Sequence, residues 1–363
     1  MDSAKILNIQ DERSVIEALA DDFQGRLSEL VPDLTILRLQ SGSDLPSSRT
    51  QVDFLADVTF GGRVNTLVVE VKSSDRPENA LLAAHQLKMI AKEYPDSYSI
   101  FVAPYIGARA RDILMEQGIG FLDLVGNAFL RFGGIYVDKT STAKRPPTQH
   151  SRTRIFSRKS SRITRVLLAD KDRLWRLREL AGEAKVSLGL TQRVVKRLTE
   201  DAYLEKTPDK KMRLRAPGPL LDAWREEYKG HKDSQAGFHI SPSAGPESIM
   251  RRIAETCHST NLDCTFTMFA AAGLVAPFVR SDEVHVYVQG DRTTLSDALD
   301  AREVEFGGNL FLLQAYDEGV FYGRRSQNSL TVVSDLQVYL DLYGYAKRGR
   351  EQAEYLREHR IKF

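Results

Sequence analysis

The residues best able to do chemistry lie close together, between positions 53 and 86 of the 363-residue chain. In the segment LVVEVKSS (67–74), Glu70 and Lys72 are two apart. An extended strand presents both on one face and sends Val69 and Val71 to the other. Asp57 stands thirteen positions before Glu70 in the strand-like stretch QVDFLADVTF (51–60), and GGRV between the two stretches supplies turn residues. A hairpin built this way would bring Asp57 roughly opposite Glu70. Two carboxylates and one ammonium at one point suit a hard divalent cation, Mg²⁺ or Mn²⁺, which needs only one or two carboxylates because it keeps several waters. The Val71 carbonyl would add an oxygen. Such an ion lowers the pKa of bound water and offsets charge on a scissile phosphate. Lys72 would then orient the attacking water or stabilise the transition state, and Gln86 would hold that water or a ligand. Asp53 is a rival to Asp57. The competing reading is an amphipathic strand of alternating apolar and charged residues with no chemistry at all.

The elements that must position these groups follow from periodicity. VIEALADDFQGRLSEL (15–30) predicts a helix, followed by the hairpin 51–74. ENALLAAHQLKMIAKEY (78–94) predicts an Ala-rich helix, SYSIFVA (97–103) a strand, and GARARDILMEQG (107–118) a helix closed by glycine. IGFLDLVG and NAFLRFGGIYVD read as two short strands, with the glycines of QGIGFLDLVGN forming a turn and not a phosphate loop. The order predicts an α/β mixed sheet with helices on both faces. Asp57-x12-Glu70-Val71-Lys72, with Gln86 on the next helix, resembles the PD-(D/E)xK nuclease superfamily. The resemblance implies a restriction-endonuclease-like core within residues 1–138. It implies Asp57 and Glu70 as metal ligands and Lys72 and Gln86 as catalytic assistants. It also implies a Glu from the first helix, for which Glu17 and Glu29 are both available.

Charge points to a second function. The 51 Lys+Arg and 49 Asp+Glu leave a formal net charge of only +2. Residues 141–230 nevertheless hold 23 basic and 11 acidic residues, net +12, between blocks of net −6 and −4. Such asymmetry indicates a polyanionic partner. The stretch 139–165 has nine Lys/Arg and no acid; residues 139–159 are expected to be a basic linker adding a sequence-independent grip on phosphate. Within 160–229, SSRITRVLLAD, LWRLRELAGEAK and TQRVVKRLTEDAYL predict three helices, and YLEK-TPDKK-MRLRAP predicts a two-stranded wing. On the third helix Val194, Val195 and Leu198 would face inward, leaving Thr191, Gln192, Arg193, Lys196 and Arg197 for base edges and phosphates. Lys210, Lys211 and Arg213 of the wing would meet the backbone. This block resembles the winged helix-turn-helix family, which implies double-stranded DNA as partner. Two half-sites would suit a homodimer.

After an expected second linker at 230–243, the chain reads as helix 246–258, helix 265–276, strands 284–289 and 310–315, and a terminal helix 334–359. The stretches HVYVQGD, LQAYDEGVFYGRR and VVSDLQVYLDLYGYAKRGREQAEYLRE resemble the C-terminal part of AbiEi-type antitoxins of type IV toxin–antitoxin systems. The likeness marks 238–363 as a C-terminal α/β domain. It implies autorepression of an operon and a nucleotidyltransferase-like toxin as partner. A nuclease-like domain in front departs from the simple antitoxin layout.

Two cysteines exclude a disulfide scaffold and suit a reducing cytoplasm; Cys257 and Cys264 are expected as buried thiols, with zinc disfavoured for want of a CxxC pair. No apolar run approaches a membrane span, and the polar start MDSAKILNIQDERS is not a signal peptide. The sequence therefore predicts a cytoplasmic DNA-binding regulator or antitoxin. The rival readings are a metal-dependent endonuclease targeted by its winged helix, and a non-catalytic protein-interaction scaffold.

Overall fold

The computed structural model describes residues 22–41, 52–73, 76–143, 153–230, 235–241 and 245–363. The chain divides into two compact units, Met1–Arg152 with Thr199–Ala202, and Thr153–Leu198 with Tyr203–Phe363. Both contain a sheet of mixed strand direction with helices, so the α/β class expected from the sequence is the one that forms.

In the first unit, helix α1 (22–30) precedes β1 Thr35–Ser41, β2 Phe54–Phe60 and β3 Arg63–Val71. Then come α2 Pro77–Ile90, β4 Tyr98–Ala103, α3 Ala108–Glu116, β5 Gly120–Asp123, β6 Ala128–Phe132 and β7 Ile135–Lys139. The seven strands lie side by side in sequence order; β3, β4 and β5 run parallel and the remaining pairs antiparallel. The hairpin β2–β3 forms because Phe60 pairs with Arg63 across Gly61 and Gly62, at φ +55° and +77°. A two-residue hairpin turn with both residues left-handed is glycine territory. Gly133 and Gly134 (φ +55° and +91°) do the same inside NAFLRFGGIYVD and split one expected strand into β6 and β7. Strand β1 was not anticipated: TILRLQS leaves Leu37 and Leu39 exposed at the sheet edge, so no clean alternation marks it, and pairing with β2 makes it a strand.

Strand β3 is third of seven and is covered on both faces, which explains its nearly continuous apolar run. Leu67, Val69 and Val71 join Phe54, Ala56 and Val58 beneath Phe23 and Leu27 of α1. Val68 points the other way, among Leu55, Phe101 and the small face of α2 formed by Ala80, Ala83, Ala84 and Leu87. Glu70 shares the parity of Val68, so its carboxylate is carried into a packed, helix-covered layer.

The second unit opens with α4 Arg158–Ala169, α5 Leu177–Glu183 and α6 Leu188–Glu200. A hairpin follows, β8 Leu204–Lys206 with β9 Met212–Leu214, then α7 Pro217–Glu227. The remainder comprises β10 Gln235–His239, α8 Pro246–Thr260, β11 Asp263–Thr267, α9 Met268–Val275, β12 Val284–Gln289, α10 Arg292–Ala298 and β13 Arg302–Glu303, then β14 Leu310–Leu313, β15 Arg325–Gln327, β16 Leu330–Val332, α11 Asp335–Tyr343 and α12 Gly349–Leu356. Its sheet has the order β13-β10-β14-β12-β11-β16-β15. One core runs from Ile163, Trp175, Val194 and Leu198 to Phe266, Val286, Leu312 and Leu340.

Several expectations change here. The segment read as a linker at 230–243 carries β10, paired with β13 and β14; its sequence, QAGFH, has too few apolar residues to announce a strand. The helix expected from 265 starts at Met268, because Thr265, Phe266 and Thr267 pair with β12. The single terminal helix is broken: Lys347 and Arg348 are left-handed, and a Cβ on Gly349 would collide with the Leu342 carbonyl. Cys257 and Cys264 are not free thiols. The last turn of α8 and the start of β11 bring their Cα atoms to 6.3 Å and the sulfurs are bonded. That removes them as zinc ligands. Among the described residues no helix is long and apolar enough to cross a membrane.

Candidate functional site

The carboxylate site lies at the end of β3. Glu70 is 3% exposed, and Lys72 Nζ donates to its Oε1. Beside it is Asp53, whose Oδ2 accepts the Val71 N–H at 2.6 Å. The β2–β3 register, Phe54 with Val69 and Asp57 with Thr66, continues so as to set Asp53 opposite Glu70. Burial pushes the Glu70 carboxyl above its ordinary 4.5; the Lys72 hydrogen bond pulls it down, and the Asp53 charge pushes it up again. A buried carboxylate facing a second carboxylate, with a single ammonium for compensation, is short of positive charge. Asp53 and Glu70 are the residues that could hold a hard divalent cation here, since both are oxygen donors and the pair is short of positive charge.

Asp57 is not part of this cluster. It lies four residues farther along β2, about 13 Å away at roughly 3.3 Å per residue, and accepts the Thr66 hydroxyl at 2.8 Å. The turn uses only Gly61 and Gly62, and that register sets Asp53, not Asp57, opposite Glu70. Gln86 is on an exposed face of α2, and no described hydrogen bond joins it to Glu70 or Lys72. Glu29 lies exposed on α1; Glu17 falls outside the described residues. Among the described residues no group of three or more His, Cys, Asp and Glu converges on one point. Asp123 in the turn of QGIGFLDLVGN is also buried, but it accepts the N–H groups of Ile106, Val125 and Asn127 and the Asn127 side chain, at 2.6–3.1 Å. It is a turn-holding group, in agreement with the sequence reading.

In the second unit, α6 presents Gln192, Arg193 and Lys196 to solvent, with Arg197 half-buried. Val194, Val195 and Leu198 are buried as expected. Thr191 is a correction: it is fully buried and its hydroxyl returns to the Ser187 carbonyl at 3.1 Å, so it has no access to a base edge. It is the fourth residue of α6, three and four positions before Val194 and Val195 and therefore on their helical face. On the hairpin, Lys210 is exposed at a left-handed position (φ +60°). Lys211 pairs with Asp209 at 2.9 Å, and Arg213 with Glu205 across the strands. The Thr207 hydroxyl and then Lys211 hold the Asp209 carboxyl down at about 2. Each pair joins one exposed and one half-buried side chain at the surface, and such pairs are cheap to exchange for phosphate. Two cations counted toward the basic stretch are engaged internally. Arg162 is gripped by Asp317 and Glu318; Arg165 is 1% exposed, stacks over Trp224 at 4.9 Å and donates to Tyr316 at 3.3 Å.

Residues 213–362 match the family model of the AbiEi antitoxin, a transcriptional regulator of type IV toxin–antitoxin systems. The antitoxin-matched region begins inside β9 and takes in α7 and the whole second sheet. No curated protein matches the sequence. Among solved structures, EndoMS in its apo form aligns with a TM-score of 0.23 and 17% identity, and an EndoMS–dsDNA2 complex with 0.22 and 22%. Each alignment covers 30% of this chain, which spans 44% of the EndoMS chain.

The antitoxin-matched region contains a polar centre that sequence reasoning missed. Asp341 is 4% exposed and accepts from Tyr228, Thr267 and Gln337, each at 2.6 Å, and from Tyr287 at 3.0 Å. Burial first, and then the Asp341 charge, drive the Tyr228 and Tyr287 hydroxyls well above 10. The four donors come from four separate segments. In sequence Asp341 is one acid within an amphipathic helix, so no local signal could have singled it out.

Proposed function

We propose that this protein is a double-stranded-DNA-binding regulator of the antitoxin class, with residues 160–229 acting as a winged helix. The observation that carries the reading is the match of 213–362 to a transcriptional-regulator antitoxin family. The solvent-facing Gln192, Arg193 and Lys196 support it by supplying a bidentate amide and two cations on one 13-residue helix. Arg193 and Gln192 would read base edges in the major groove. Lys196, Arg197, Lys210, Lys211 and Arg213 would bind phosphates. A nucleotidyltransferase-like toxin and a second copy of the chain are the protein partners this class suggests. Electrophoretic mobility shift on the chain's own promoter tests the reading. Arg193→Ala with Lys196→Ala should weaken duplex binding about tenfold or more, relax the sequence preference at the base Arg193 reads, and reduce the salt slope by about one, for the phosphate contact of Lys196. Unchanged binding would remove α6 as the reader.

A second reading, a metal-dependent DNA endonuclease of the PD-(D/E)xK type, is favoured by the undercompensated Glu70. Asp53 and Glu70 would hold Mg²⁺ or Mn²⁺, and such an ion would supply an acidified water and charge compensation on a phosphodiester. Lys72 would orient that water from its place against Glu70. Gln86 would have to approach from α2. Plasmid nicking with Mn²⁺, abolished by Lys72→Ala, is the test; intact plasmid, duplex and single strand would leave the regulator reading alone.

A further inference from the structure

The three-helix segment contains a cleft that the DNA-facing residues do not line. Its volume is about 510 Å³, and it is bounded by Lys159 and Arg162 of α4, Gly182 of α5, Lys185 and Val186 of the following turn, and Leu190 of α6. Its lining is cationic and apolar, with no carboxylate. Arg162 is a fixed wall: Nε and Nη2 each bond Asp317 at 2.7 Å, and Nη1 goes to Glu318. Its charge is therefore largely spent. Lys159 and Lys185 are exposed, and no carboxylate among the described residues pairs with either. Val186 and Leu190 give a half-buried apolar wall opposite them. Gly182 leaves the floor open, since a Cβ there would meet nothing within 4 Å. Ser187, at the entry to α6, is also in the lining, and its hydroxyl accepts the Leu190 N–H at 3.3 Å.

We propose that this cleft binds a phosphate-bearing ligand of nucleotide size, with the phosphate on Lys159 and Lys185 and the apolar end against Val186 and Leu190. The volume falls in the range of small-molecule sites, about 300–1,000 Å³, and far exceeds what one inorganic anion fills. Lysines are compact point charges suited to phosphate oxygens. The mixed wall excludes a purely ionic ligand as the best fit. Gln192, Arg193 and Lys196 are absent from the lining, so the site is separate from the base-reading face. A duplex backbone phosphate offers the same chemistry, and the experiment separates the two sources.

The full chain is titrated calorimetrically at low salt with ATP, with tripolyphosphate, and with a promoter duplex. Wild-type protein should bind ATP. Lys159→Ala with Lys185→Gly, which suits the left-handed backbone at position 185 (φ +51°), should weaken it at least tenfold. Gly182→Leu should do the same while leaving every charge in place, and Arg193→Ala should leave ATP binding unchanged. If ATP and tripolyphosphate do not bind but Gly182→Leu weakens the duplex tenfold, the phosphate is that of the DNA backbone. If neither ATP nor duplex binding responds to the cleft variants, the proposal is overturned. Duplex binding that is lost in Arg193→Ala with Lys196→Ala but kept in the cleft variants would retain the DNA-reading helix and discard the cleft alone.

Discussion

The two units each bury a carboxylate, and they treat it in opposite ways. Asp341, in the second, is met by three hydroxyls and an amide drawn from α11, β11, β12 and the residue after α7. Glu70, in the first, has one lysine, a second carboxylate nearby and a raised pKa. Burying a charge is costly unless it is paired and hydrogen-bonded. Asp341 meets that condition with the chain's own groups, so it holds elements together. Glu70 falls short of it, and a site left short of positive charge is where an added cation would bring the largest gain. Asp123, in the first unit, is likewise pushed up by burial, but it accepts four hydrogen bonds and has no facing carboxylate among its causes. The deficit at Glu70 is therefore local to that site and not a general property of its sheet.

The contrast breaks most visibly at Asp341. Asp341→Leu strands the Tyr228, Thr267, Tyr287 and Gln337 donors and should cost on the order of 3–5 kcal/mol in urea unfolding. A loss under about 1 kcal/mol would mean that the network is replaceable. Next in size is the metal site. If nicking is observed, Asp53→Ala and Glu70→Ala should each reduce it by at least about 10²-fold, whereas Asp57→Ala, bonded only to Thr66 in the described set, should stay within about threefold. The reverse ranking would restore Asp57 as the ligand. Cys257→Ser should lower the stability of the second unit by about 2 kcal/mol when the wild-type disulfide is intact, and by far less in excess reductant, which opens the same bond in the wild type.

The smallest effect sharpens the comparison from the other side. The folded pKa of Glu70 lies above 4.5, so the folded state binds more protons than the unfolded chain. Stability contributed by the protonated form is present at low pH and is lost as pH rises from 4.5 through the folded value. Glu70→Gln removes that loss. The variant should therefore melt slightly higher than wild type at neutral pH, with the gap closing below pH 4.5. Added Mg²⁺ should raise the melting temperature of wild type but not of Glu70→Gln. Equal melting at every pH would show that Glu70 carries no unmet charge cost.

Much of this was legible before folding. Periodicity gave α2, α3, β4, α6 and β12, because each has a strong apolar pattern and a clear stop. Glu70 and Lys72 share a face because they are two apart in a strand, whatever surrounds them. The basic third helix was likewise readable from Val194, Val195 and Leu198 at helical spacing. Weak or edge elements were not readable: β1 and β10 exist because a neighbouring strand supplies their hydrogen bonds, and nothing in TILRLQS or QAGFH demands extension. Thr191 faces inward because it stands three, four and seven positions before Val194, Val195 and Leu198 on α6, so its side was legible from spacing once the helix start at Leu188 is known.

The sequence by itself determined which residues could act: the E-x-K pair, the cationic helix and the +12 block. Tertiary structure decided which of them meet. A two-glycine turn fixed the register and put Asp53, not Asp57, beside Glu70. Packing took Arg162 and Arg165 out of the free positive charge. Asp341 acquired its donors from its own helix and from segments 54, 74 and 113 residues away. Side-chain direction along a strand or helix is a local property of the backbone, but which charge lies opposite which depends on register and packing, and those are set only when the whole sheet closes.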